Sequence, residues 1–132
     1  MDNKLKHLEF LQLVITRMSV NSFLVKGWSV TLVAAMFAFA AKDANARYGW
    51  ITLVVIIVFW ILDGYYLSLE RQYRELYDVI RVKDANAIDF DMNASMYDKG
   101  RATWLNSTFT FTLVFFYVTV ISLSIVITLI LR

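Results

Sequence analysis

The feature that most limits how this chain can fold is the run from Ala102 to Leu131. It holds 30 consecutive residues without a charge and is closed by Arg132. A helix needs about 20 apolar residues to cross ~30 Å of hydrocarbon, so this run is long enough alone. Two other stretches come close. Gly27 to Ala41 holds 15 uncharged residues, and Met18–Val25 precedes it past a single Lys26. Tyr48 to Leu62 holds another 15, and Gly64–Leu69 follows past a single Asp63. The chain has 132 residues, 59% of them hydrophobic and 18% charged. Soluble domains are about half apolar and a quarter charged, and a small domain lacks the interior volume to hide such an excess. The expectation is therefore one domain, an all-α integral membrane protein with three transmembrane helices. Three strands cannot close a barrel, and open strand edges are too costly in lipid, so even the β-branched run Thr52–Val58 is expected to be helical. No proline is present to force a kink.

The boundaries expected are a helical arm over 1–26, a first span over 27–41, an outer loop over 42–47, a second span over 48–63, a second arm over 64–83, a loop over 84–101 and a third span over 102–131. No cleavable signal peptide is expected, because Met1 to Phe10 is polar and charged. Orientation follows from lysine and arginine. One side would carry Lys4, Lys6, Arg17, Lys26, Arg71, Arg74, Arg81, Lys83, Lys99 and Arg101, the other only Lys42, Arg47 and Arg132. That asymmetry predicts a cytoplasmic N-terminus and an outside C-terminus. Trp28, Trp60 and Trp104 would mark the cytoplasmic interface, and Tyr48 and Trp50 the other.

The short loop makes the first two spans an antiparallel hairpin. Folding the chain between Ala44 and Asn45 leaves Lys26 18.5 positions before the fold and Asp63 18.5 after it. The two charges that interrupt the spans thus lie at one depth with opposite sign, and they are expected to pair. The pair reads as a static structural contact, as two interfacial charges reaching for headgroups, or as a gate. Gly27, Thr31, Ala34, Ala38 and Ala41 form a small-residue seam at steps of 4, 3, 4 and 3. The seam should contact either span two or another copy. Beyond the spans, Leu62, Tyr66, Leu69, Tyr73, Leu76 and Ile80 face Leu8, Leu11, Ile15 and Met18 at helical spacing. These stripes predict that the hairpin extends into a cytoplasmic helical stalk of ~20 residues per arm. On the third span, Thr108, Thr112, Thr119 and Ser122 form one polar stripe, with a pore or interface role. Asn106, Thr110, Tyr117, Ser124 and Thr128 form another on the opposite side.

Residues 84–101 are the one long irregular stretch, expected to pack Phe90 and Met92 on the stalk. Asp89, Asp91 and Asn93 match the start of a calcium loop. Ala94 then stands where glycine is needed, and Gly100 where a bidentate Glu is needed. No metal, cofactor or catalytic residue is expected. There is no cysteine, and the single histidine, His7, reads as a stalk residue. No phosphate loop or nucleophile motif occurs. A formal net charge of +2 is no footprint for nucleic acid.

Asn21 to Ala46 (NSFLVKGWSVTLVAAMFAFAAKDANA) and Phe59 to Asp78 (FWILDGYYLSLERQYRELYD) resemble segments of small uncharacterised bacterial multi-span membrane proteins. Proteins of this size and build are similar to membrane effectors found beside antiviral-defence genes. The resemblance implies a bacterial inner (cytoplasmic) membrane location. The mixed-charge stalk, the small-residue seam and the twice-striped third helix point to an oligomeric, membrane-perturbing or pore-forming effector controlled through its stalk, and the resemblance suggests a place for it in phage defence. The partners expected are the lipid bilayer, further copies of the chain and a cytoplasmic protein. A non-catalytic scaffold or accessory subunit docking a cytoplasmic partner, and a small ion channel, are the alternatives.

Overall fold

The computed structural model describes residues 2–43, 45 and 47–132. Two long helices dominate it: α1 (Asp2–Asp43) and α2 (Arg47–Val82). Each joins an arm and a span without interruption, since neither contains proline to remove a hydrogen-bond donor. At 1.5 Å per residue α1 is ~63 Å long, about twice the hydrocarbon thickness. Asp2 in its first turn and Lys42 in its last complement the helix dipole. At the start of α2, Asn45 Oδ1 accepts from Arg47 N–H at 3.0 Å, and Tyr48 OH donates to Asp43 Oδ2 at 3.0 Å. Of the outer loop expected over 42–47, Ala44 and Ala46 lie outside the described residues.

α1 buries His7, Leu11, Ile15, Ser22, Val25, Ser29 and Ala40, one face running its whole length. At the arm end Leu11, Leu76, Ile80 and Ala94 form a core, with Leu8, Tyr73, Ile88 and Met92 packed on it. The return loop is fastened there. His7 Nε2 donates to the Asp91 carbonyl at 2.8 Å, and its ring stacks on Phe90 at 5.5 Å. Phe90 takes φ 56°, a left-handed turn that costs a side-chain-bearing residue about 1–2 kcal/mol and is held by this packing. Asp89, Asp91 and Asn93 each turn the side-chain oxygen back to the amide two residues on. The Asp91 amide, with Lys83 at 3.6 Å adding to it, holds the Asp89 carboxyl below its ordinary pKa. Its contribution is present at neutral pH and is lost as the pH falls through that lowered pKa.

The run 102–131 is not one helix. It divides into α3 (Trp104–Thr108) and α4 (Phe111–Leu131), with Thr110 extended between them at ψ 145°. The cause lies in α2. Trp60 Nε1 donates to the Thr108 carbonyl at 2.8 Å, taking the acceptor that a continuous helix would offer to Thr112. The Thr108 and Thr110 hydroxyls also bond back to the carbonyls of Trp104 and Asn106, which weakens a helix locally. α4, 21 residues and ~32 Å long, packs on α2 through Leu113, Tyr117, Ser124 and Thr128. α2 is thus the central helix, with α1 and α4 against it. Three helices, α1, α2 and α4, are long and apolar enough to cross a membrane.

Candidate functional site: a buried ion pair joining three helices

Asp63 is the one fully buried carboxylate of the described residues, at 0% exposure. Helical spacing brings it there. Asp63 lies one residue before Gly64, where α2 and Thr108 come closest, and the hairpin places α1 on its other side. Lys26 Nζ reaches Asp63 Oδ2 at 2.6 Å. Ser22, one turn before Lys26 on α1, donates to Asp63 Oδ1 and accepts from Lys26 Nζ at 3.0 Å. From α4, Tyr117 OH donates to Asp63 Oδ2 at 2.9 Å. The Tyr117 ring stacks on Trp60 at 5.8 Å and 8°, so the residue that bends the third run also fixes the phenol.

Burying a carboxylate costs several kcal/mol unless charge and hydrogen bonds offset it. Here one ammonium and two hydroxyls do so, and they come from two different helices. The arrangement is a cross-link. With Lys26, Ser22 and Tyr117 all donating to its carboxylate, Asp63 can hold three helices at one level. Among the described residues no three His, Asp or Glu side chains gather in a metal-binding set.

The other sequence-derived residues fall differently. Gly27, Thr31, Ala34, Ala38 and Ala41 are exposed, with α1 turning Ser22, Val25, Ser29 and Ala40 to the interior instead. The seam is therefore not the contact with α2. Nor do Thr108, Thr112, Thr119 and Ser122 form one continuous row. The break at Phe109–Thr110 puts Thr108 against Gly64, while Thr112, Thr119 and Ser122 on α4 are exposed. The opposite polar set supplies the inward residues Tyr117, Ser124 and Thr128. Sequence reasoning misses Ser22 and Tyr117 as partners of the pair. The position of Ser22 four residues before Lys26 is the available signal. No family model, curated protein or solved structure matches this chain.

Proposed function

We propose that this chain is a bacterial inner-membrane protein that assembles with copies of itself and changes membrane permeability under control of its cytoplasmic arms, as a defence effector would. One observation carries the reading: a small-residue row and a hydroxyl row on the spans face outward from the single chain. The α1 row is Gly27, Thr31, Ala34, Ala38 and Ala41, and the α4 row is Thr112, Thr119 and Ser122. Small residues allow close helix approach in lipid, and hydroxyls suit helix contacts or a water path. α1 and α4 run in the same direction, each starting from the arm side. Gly27 to Ala34 and Thr112 to Thr119 are both steps of seven. Copies inserted alike can therefore set the α4 of one beside the α1 of the next, a head-to-tail contact that closes a ring. The Lys26–Asp63 pair stands where arms meet spans, so a displaced arm loads it directly.

Ala34→Leu tests the contact. In native mass spectrometry from mild detergent the parent chain should appear as an oligomer, and the variant should associate about tenfold more weakly, as overpacking an interface implies. Liposomes carrying the parent chain should leak a small dye or ions faster than empty ones. A parent chain that stays monomeric in detergent and in lipid nanodiscs overturns the assembly, and flux equal to empty liposomes overturns the permeability role. The scaffold reading has its own support in Leu5, Leu13, Val79 and Val82, apolar side chains exposed on the arms. A monomer without flux that binds a soluble protein through these residues would favour it.

A further inference from the structure

Where α2 leaves the span, its next turns carry Glu70, Arg71 and Arg74, and the return loop brings Arg101 against them. A cleft of about 320 Å³ opens between these residues, with Glu75 and Asp78 also on its wall. Its charges are unevenly matched. Glu70 is held by Arg74, through Nε at 3.1 Å and Nη2 at 2.7 Å. Asp78 has Arg81 at 3.8 Å, and Glu75 is exposed. Arg71 and Arg101 stand in no ion pair among the described residues. Instead Arg71 Nη1 donates to the Arg101 carbonyl at 2.7 Å, and Ser107 Oγ donates to the same oxygen at 3.2 Å. Arg71 is thus fastened to the main chain of the residue that carries a second guanidinium. Burial, and then the Arg101 charge, hold Arg71 below the ordinary arginine pKa. Glu70 offsets part of this, and because a guanidinium does not give up its proton in a protein, a bound anion is what would relieve the rest.

The planar fork of arginine matches phosphate oxygens two at a time. The position favours the same chemistry. Trp104, half exposed, anchors the loop through Nε1 to the Ile61 carbonyl at 3.1 Å, at the level where an aromatic belt is expected. Arg71 lies eight residues beyond Asp63, ~12 Å further along α2. With the helices read as membrane spans ending near Asp63, the Arg71 backbone lies just outside a headgroup layer of about 5–8 Å, and its long side chain can reach back into it. We propose that Arg71 and Arg101 form a phosphate-binding cleft, filled by the phosphate of an anionic phospholipid or by a free phosphoanion. The cleft lies within one chain, so its occupancy does not depend on assembly.

The test uses the full chain in two arms. In nanodiscs of phosphatidylcholine and phosphatidylglycerol, native mass spectrometry counts the retained lipid. In detergent, calorimetry follows binding of inorganic phosphate. Arg71→Gln and Arg101→Gln are compared with Arg17→Gln. Arg17 is an exposed residue on α1 that the hairpin sets level with position 72, since 17 and 72 are equidistant from the fold between 44 and 45. Each cleft variant should bind about tenfold more weakly, the size of a lost charge-assisted hydrogen bond, with Arg17→Gln close to the parent. Phosphatidylglycerol retention without phosphate heat identifies the lipid, and the reverse identifies a free anion. The proposal falls if neither arm shows binding, or if Arg17→Gln loses as much as the cleft variants. Arg101→Gln keeps the main-chain acceptor of Arg71, so the test survives should Arg71→Gln fail to fold.

Discussion

Lys26→Met should destabilise the protein more than Asp63→Asn, and the double variant should recover most of the loss. The asymmetry follows from exposure. Asp63 is fully buried, whereas the Lys26 side chain is 22% exposed. Removing the ammonium leaves a carboxylate with two hydroxyl donors and no counter-charge, and breaking a buried pair from one side costs about 3–5 kcal/mol. Removing the carboxylate leaves a lysine whose long stem can carry its charge outward. Asp63→Asn keeps one oxygen for one of the two hydroxyls and sets an NH2 against the other, which must then accept instead of donate, so that loss should be about 1–2 kcal/mol. The double variant buries no charge, and its carboxamide can accept from one hydroxyl and donate to the other. Thermal unfolding in one detergent, followed by tryptophan emission, ranks the three variants against the parent. Additive losses in the double variant would mean that the two charges do not act as a pair. Loss of the pair should also loosen α4, because Tyr117 OH is anchored on the same carboxylate.

Much of this fold can be read from where charges are missing. The three uncharged runs supply the apolar parts of the three long helices α1, α2 and α4, the third run also giving the short α3, and the equal distances of residues 26 and 63 from the turn put the two charges at one level. Those are local or one-dimensional facts. Tyr117 joining the pair is neither, because it depends on which side of the hairpin α4 takes, and no spacing within α4 encodes that. The seam illustrates a second limit. Small residues allow close packing but do not say against what, and Ser22, Ser29 and Ala40 offer the same permission on a neighbouring face. The break at Phe109–Thr110 is hidden for a related reason. The hydroxyls of Thr108 and Thr110 are visible in the sequence, but the carbonyl is diverted by Trp60, 48 residues away.

Gly64→Ala should separate α3 and α4 from α2, although alanine is the better helix former by about 1 kcal/mol. A Cβ at Gly64 would meet the Thr108 hydroxyl and lie 2.8 Å from Thr108 Cβ and 2.9 Å from its Cα. The Cα is backbone and cannot rotate away, so the whole segment must move. Overpacking of this kind costs about 1–3 kcal/mol, and the movement also stretches the Trp60 bond to Thr108 that holds the break. Gly49 makes a matched contrast near the other end of α4. The three atoms a Cβ there would meet first all belong to the side chain of Thr128, with Cγ2 at 2.7 Å and Cβ at 2.9 Å. Thr128→Gly should therefore rescue Gly49→Ala, apart from the helix-propensity loss of the added glycine, while Thr108→Gly should leave most of the Gly64→Ala defect in place. Unfolding midpoints of the four variants test this, with Trp60 emission reporting whether the indole has lost the Thr108 carbonyl. Equal rescue at both sites would mean that the Gly64 contact is made by side chains alone, and that α3 is not held against α2 by backbone approach at that point.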